Sequence, residues 1–253
     1  MTTHEMLQDK PHRSVVRIGD TVRRPLQPWS GSVHELLRQL ESIGFPYTPR
    51  VRGIDDEGRE VLTYIDGESG TAGWAKVFDE RGLVAMARLL REYHDAVRGF
   101  VPAAAAGWAG FEGGGEIVLH GDFGPWNLVW QGTQPIGIID WDYAWPGRPI
   151  HDVAYALEYV APFRDDELCR RWLAFPGVPD RRRRLELFAE AYGLESSSGL
   201  VDEVLAQQQA VWERARRLAA QGMQPQAEWQ QTGFLDTTAD RLRWTRDNRA
   251  LFE

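Results

Sequence analysis

The sequence is short of cysteine: Cys169 is the only one in 253 residues. No internal disulfide can form, which suits a reducing compartment. Lysine is nearly as scarce, with Lys10 and Lys76 alone. No apolar run approaches the roughly 20 residues of a membrane span. The polar start MTTHEMLQDKPHRS has no apolar signal core. The chain is therefore expected to be soluble and cytoplasmic. A basic excess is also missing: 37 acidic residues stand against 29 lysines and arginines, a net charge of −8. That argues against general nucleic-acid binding, which relies on basic surface, and is compatible with a cationic substrate. What remains is an ordinary globular balance, long enough for one large domain or two lobes.

One stretch organises the rest, IVLHGDFGPWNLVWQGTQPIGIIDWD from Ile117 to Asp142. Ile117-Val118-Leu119 reads as a short buried strand that ends at His120-Gly121-Asp122. Leu128-Val129-Trp130 and Ile136 to Ile139 read as a hairpin around Gln131-Gly132-Thr133-Gln134. Asp122, Asn127 and Asp140 thus stand at the ends of apolar strands, where a rigid scaffold can aim them at one point. Their chemistry fits phosphoryl transfer. That reaction needs a carboxylate to accept a hydroxyl proton and hard oxygen ligands for magnesium.

HGDFGPWN followed by IIDWD resembles the aminoglycoside phosphotransferase family, small-molecule kinases on a protein-kinase-like fold. HGD stands where protein kinases have HRD, and IDW where they have DFG. The resemblance implies that Asp122 is the catalytic base and that Asn127 and Asp140 are the magnesium ligands. It also implies that Asp152, in His151-Asp152-Val153-Ala154, braces the catalytic loop. The implied architecture is α+β and two-lobed. Residues 1–65 would form a small, reduced, β-rich nucleotide-binding lobe, and residues 66–253 a larger, mostly helical catalytic and substrate-binding lobe.

Residues 1–13 are polar and expected to be loosely ordered. Ser14 to Ile18 and Thr21 to Arg24 flank Gly19-Asp20, a hairpin signal. Ser32 is a candidate cap for a helix to about Ile43. A second hairpin is expected from Val51–Ile54 and Val61–Ile65. No G-x-G-x-x-G loop is present to cover phosphates, and neither lysine lies on a candidate strand. Arg23 or Arg24 must then grip the phosphates, the pattern leaving both open. Glu35 is the nearest candidate for the pairing glutamate. By resemblance, Leu62 to Gly67 is the hinge between lobes. There the Thr63 carbonyl and Ile65 amide would hold a purine edge, and Val129 and Ile139 would floor its pocket.

Leu83, Met86, Leu90, Tyr93 and Val97 predict an amphipathic helix on which His94 is packed rather than ligating. Residues 102–115 read as a flexible surface connection. Helices are expected at His151 onward, Asp165–Phe175, Asp180–Tyr192, Leu200–Gln221 and Thr237 to about Leu251. The run Arg181 to Arg184 reads as a solvated helix face. Substrate is expected between the catalytic loop and these helices. Asp142, Glu158, Asp165, Asp166 and Glu167 are acidic candidates; Trp126, Trp141, Trp145 and Tyr155 are aromatic ones.

The expected activity is transfer of the γ-phosphoryl group of ATP or GTP, with magnesium, to a hydroxyl of an aminoglycoside-like or other amino-alcohol substrate. An alternative is a catalytically weak kinase-like protein that sequesters a toxin or antibiotic as an immunity factor. A third reading is a two-metal hydrolase built on His120, Asp122, Asp140 and Asp142.

Overall fold

A computed structural model of the chain describes residues 4–10, 13–103, 107–109, 114–224 and 226–253. The first third builds an antiparallel sheet from β1 (His4–Lys10), β2 (Arg13–Ile18), β3 (Thr21–Pro25), β4 (Val51–Ile54) and β5 (Arg59–Thr63), in the order β1-β2-β3-β5-β4. Ile18 pairs with Thr21 across the expected two-residue turn, where Gly19 takes φ +63°. That angle suits glycine, which has no Cβ to clash.

This first third departs from the sequence reading in three places. His4–Lys10, expected to be loosely ordered, is a strand paired to β2. It is mostly exposed, so it shows no alternation of apolar residues to betray it. β5 begins at Arg59 rather than Val61. Asp55 Oδ1 accepts from the amides of Glu57 and Arg59 and closes the turn early. Helix α1 (Ser30–Ser42) starts before Ser32, which is buried inside it.

The chain then leaves the sheet and pairs again further on. Glu68 and Trp130 exchange backbone hydrogen bonds of 3.0 and 2.8 Å. Helices α2 (Gly73–Lys76) and α3 (Glu80–Ala96) follow, the latter capped by the Asp79 side chain on the Arg81 amide. The predicted connection over 102–115 includes 104–106 and 110–113, which lie outside the described residues. β6 (Ile117–Leu119) pairs with β9 (Trp145–Gly147), and β7 (Leu128–Gln131) with β8 (Gln134–Ile138).

Helices α4 (Pro149–Val160), α5 (Asp166–Trp172), α6 (Arg181–Tyr192), α7 (Leu200–Ala220), α8 (Gln226–Gln231) and α9 (Phe234–Asp247) complete the chain. α8 is not apparent in the sequence reading. One apolar core runs from Leu36 and Leu40 on α1 through Met86, Trp130 and Leu157 to Phe188 and Val204. Among the described residues no helix is long and apolar enough to cross a membrane.

The arginine run is not a solvated face throughout. Arg181 and Arg184 are buried, while Arg182 and Arg183 pair with Glu186 and Glu80 at the surface. Arg181 donates to the carbonyls of Pro162 and Arg164, and Arg184 to those of Val77 and Val160. Residues three apart share one helix face, and that face meets carbonyls at and just beyond the ends of α2 and α4. Carbonyls at a helix C-terminus attract cations.

Candidate active site

β6 delivers the chain into His120-Gly121-Asp122. Gly121 takes φ +78°, and a Cβ there would lie 2.0 Å from the Tyr143 carbonyl oxygen. Only glycine fits, which accounts for HGD rather than HRD at this point. The Asp152 carboxylate accepts from the amides of His120 (2.8 Å) and Gly121 (2.9 Å). It also lies 3.2 Å from His94 Nε2, whose Nδ1 meets the Tyr192 hydroxyl at 2.7 Å. His94 is thus packed and bonded, as its helix position predicts. Burial pushes the Asp152 carboxyl up, but the His94 hydrogen bond, nearby imidazoles and the Gly121 amide leave it below the usual range.

Asp122 is half-buried and held on both oxygens. Asn127 Nδ2 donates to Oδ2 at 2.8 Å and to the Asp122 carbonyl at 2.9 Å. The Tyr155 hydroxyl donates to Oδ1. Burial pushes the Asp122 carboxyl up to about 7, and the Asp140 charge pushes the same way; the Tyr155 and Asn127 donors oppose it. His120 is buried and its ring is held neutral by burial. Its Nδ1 accepts from the Asp122 amide, and its Nε2 lies 3.0 Å from the Ile139 carbonyl. Both ring nitrogens are engaged, so the two-metal hydrolase reading loses its histidine ligand.

β8 runs into Asp140, which takes the left-handed backbone conformation, φ 63° and ψ 64°. This is uncommon outside glycine and marks local strain. The turn aims Asp140 and Asp142 back at the sheet. There Arg24 meets them, with Nη1 3.5 Å from Asp140 Oδ1 and Nη2 2.9 Å from Asp142 Oδ1. Arg24 Nε lies 2.5 Å from Glu60, its cross-strand neighbour, and His34 on α1 lies 2.6 Å from the other Glu60 oxygen. Burial alone would lower the Arg24 pKa, but Asp142, Glu60 and Asp140 together raise it. The residue beside the Asp140 turn is therefore Arg24. Arg23 points elsewhere, 3.9 Å from Asp55. The partner expected at Glu35 is instead Glu60, steadied by His34.

The residues present suit a magnesium ion. Asn127 uses its amide nitrogen on Asp122, which leaves the amide oxygen as a hard donor, and Asp140 follows directly after Ile139, whose amide bonds the Asn127 carbonyl. Among the described residues no group of three His, Cys, Asp or Glu forms a metal cage. Magnesium bound with nucleotide takes only one or two protein ligands, with phosphate and water supplying the rest.

In the segment expected to be the hinge, Thr63 and Tyr64 are bonded through their amides and Ile65 packs by its side chain. The Thr63 amide donates to Arg50 O, and the Tyr64 amide to Asp20 O. A Cβ on Gly137 would meet Ile65 Cδ1 at 2.9 Å and Val129 Cβ at 3.3 Å, so these two side chains converge on one backbone. The Ile139 amide donates to Asn127 O, joining this wall to the Asp122 loop.

Asp122 and Gly121 also line a cavity of about 220 Å³, between their loop and α7–α8. Tyr143, Tyr155, Val211, Arg214 and Trp229 are among its walls. Of the aromatic candidates, Tyr155 lines it. Trp126 packs 4.8 Å from Trp74 and 4.7 Å from Tyr159 and hydrogen-bonds the Asp122 carboxylate, Trp141 is in the core, and Trp145 stacks on His151. The acidic candidates are elsewhere. Glu158 is buried between Arg164 and Arg241, Asp165 caps α5, Asp166 pairs with Arg181, and Asp142 pairs with Arg24. Glu167 is an exposed residue of α5. Arg214 and Trp229 are wall residues that the sequence reading missed. Their helices are remote in sequence and carry no motif.

Residues 102–188 match the model of the phosphotransferase enzyme family. Over 203 residues the chain is 35% identical to a trifolitoxin immunity protein of Rhizobium leguminosarum bv. trifolii, covering 76% of each chain. The chain belongs to the aminoglycoside phosphotransferase family. The same architecture recurs in a GDP complex of aminoglycoside 2'-phosphotransferase-IIIa, with a TM-score of 0.63 over 98% of this chain and 93% of that one. A choline/ethanolamine kinase family protein from Mesorhizobium loti gives 0.59 over 97% and 93%. At 16% and 13% identity these two speak to fold alone. This family member has the protein-kinase-like fold, an N-terminal sheet followed by a larger helical part.

Proposed function

We propose that this chain transfers the γ-phosphoryl group of ATP or GTP to a hydroxyl of a small molecule. The observation that carries the reading is the hydrogen-bonded pair Asp122–Asn127 beside Asp140, with Arg24 reaching Asp140 from the sheet. Residues 1–65 act as the nucleotide-binding lobe and residues 66–253 as the catalytic and substrate-binding lobe. The base edge meets the Thr63 carbonyl and Ile65 amide, over Val129 and Ile139. Arg24 rather than Arg23 faces the phosphates.

The acceptor hydroxyl oxygen forms a bond to the γ-phosphorus as the bond from phosphorus to the β–γ bridging oxygen breaks. Asp122 orients that hydroxyl and takes its proton late in the transfer. Asn127 and Asp140 would hold magnesium, which when bound would neutralise charge on the phosphate oxygens. Tyr155 and Asn127 fix the two Asp122 oxygens, so little reorganisation is left for the reaction itself.

The experiment is magnesium-dependent ADP or GDP release over a panel of amino sugars, amino alcohols and other hydroxy compounds. Acceptor-dependent release supports the reading; nucleotide that is never consumed with any acceptor contradicts it.

A second reading has one observation in its favour, the 35% identity to a protein named for immunity to a toxin. Here the chain protects by binding a toxin or antibiotic rather than by modifying it. Protection that survives loss of the Asp122 carboxylate favours this reading.

A further inference from the structure

Tyr155 gives its hydroxyl proton to Asp122 Oδ1. It is also hydrogen-bonded to Tyr159, one turn further along α4. Residues four apart share a helix face, which brings the two ring centres within 5.3 Å. A tyrosine has one proton to give, and that of Tyr155 is spent on Asp122, so Tyr159 is the donor between them. The Tyr159 oxygen in turn accepts from the Arg241 guanidinium on α9. The donors therefore run one way, from Arg241 to Tyr159, to Tyr155 and to the Asp122 carboxylate.

The charge at the far end of this chain has one sign. Arg241 Nε and Arg164 Nη2 lie 2.8 and 3.6 Å from the same Glu158 oxygen. Among the described residues Glu158 is the one carboxylate that pairs with either, so two cations share a single anion. The Arg164 guanidinium also lies over the Tyr159 ring, 4.9 Å from its centre. Burial pushes the Tyr159 pKa up and the Glu158 charge adds to this, while Arg241 and Arg164 pull it down. The hydroxyl stays protonated, as a donor must, and the two cations make it a stronger donor than burial alone would leave. In a poorly solvated site each bond of such a chain polarises the next.

We propose that Arg241 and Tyr159 are positioning residues for Asp122, holding its carboxylate in place for the acceptor hydroxyl through Tyr155. This inference rests on the phosphotransfer reading for what the carboxylate does, but not for the chain of bonds that holds it. Tyr155 lines the cavity beside Asp122, whereas Tyr159 and Arg241 are not among its walls. They reach the reaction through Tyr155 and not by touching the acceptor. No proton passes along the chain; it orients and polarises. Asp140, Asn127 and Trp126 also act on Asp122, and Tyr143 and Arg214 share its cavity. None of these is altered in the test.

The test follows the Asp122 carboxyl of the full chain through a pH titration by carbon-13 NMR, the signal being assigned by its loss in Asp122→Asn. Tyr159→Phe removes one hydroxyl and should raise the midpoint by about half a pH unit, bonds in a chain strengthening one another by roughly 10–30%. Arg241→Gln should move it the same way, and Arg241→Lys, which keeps the charge, should move it less. In Tyr155→Phe the chain is already cut, so adding Tyr159→Phe should give no further shift. A residue that merely packs would act equally in both backgrounds, or in neither. The acidic limb of kcat/KM should follow the NMR midpoint, with the nucleotide KM unchanged. If Arg241→Gln does not fold because Glu158 loses a partner, the tyrosine cycle still decides. An unmoved midpoint in Tyr159→Phe, or equal shifts with and without the Tyr155 hydroxyl, overturns the proposal. The expected shifts without nucleotide consumption by any acceptor count against the phosphotransfer reading and leave this one standing. Acceptor-dependent turnover with an unmoved midpoint does the reverse.

Discussion

Arg24 on β3 and Glu60 on β5 stand directly opposite each other, with Nε 2.5 Å from the carboxylate. Glu60 is fully buried, so removing its partner leaves a charge that, among the described residues, is shared with His34. Arg24→Ala is expected to cost about 3–5 kcal/mol, the usual result of orphaning a buried charge. Arg23→Ala, which loses one long, half-exposed contact to Asp55, should change stability by no more than about 0.5 kcal/mol. Urea unfolding separates the two. Arg24→Lys keeps the charge and tests phosphate grip: nucleotide affinity should fall, while Arg23→Ala leaves it unchanged. The opposite pattern would return the role to Arg23.

The Asp122 carboxyl, pushed up to about 7, sets a pH dependence. It must be ionised to accept a proton, so kcat/KM should rise with pH through an acidic limb near that value. The Tyr155 hydroxyl hydrogen bond lowers this pKa, so Tyr155→Phe should move the limb to higher pH. A limb that stays put would mean that Asp122 does not set the profile.

The same group affects stability with the opposite sense to most carboxylates. Its folded value lies above the ordinary 3.8, so the folded chain keeps the proton between about 3.8 and 7. The stability it supplies is full below the unfolded value and is lost as pH rises through the folded one. Asp122→Asn should therefore gain stability over wild type as pH rises from 4 towards 8. Melting curves at several pH values check this; a constant difference would contradict it.

Asp152 works the other way. Its folded pKa lies below the usual range, so its contribution is present above the unfolded value and is lost as pH falls through the folded one. Asp152→Ala strands the His120 and Gly121 amides and should cost about 3 kcal/mol or more. Denaturant titration near neutral pH measures the loss. A loss below 1 kcal/mol would mean that the catalytic loop is held by other contacts.

The stretch that brings Asp122 and Asn127 together ahead of Asp140 was legible because its residues sit close together in sequence. Asp122, Asn127 and Asp140 follow short strands whose apolar runs are plain, and Asp152 lies just beyond. The Arg24 contacts were not, because strand phase alone leaves Arg23 and Arg24 on opposite faces without saying which face looks at Asp140. Glu60 was hidden for a related reason: it reaches Arg24 through cross-strand register, which local sequence does not state. Glu158 illustrates the limit for the acceptor site. As a lone glutamate on α4 it reads as a substrate anchor, yet Arg241 from the far end of the chain neutralises it. The β1 strand was missed because an exposed edge strand buries too little to pattern its sequence.

The proposed role of Asp122 is to accept a hydroxyl proton in phosphoryl transfer. Its most direct test is acceptor-dependent turnover by Asp122→Asn, with nucleotide affinity measured on the same preparation. The variant keeps the shape and loses the basic oxygen, while Asn127 and Asp140 are untouched. Nucleotide affinity should stay close to wild type and turnover should fall by about 10²–10⁴-fold, the usual contribution of a general base. Wild-type turnover from Asp122→Asn would contradict it.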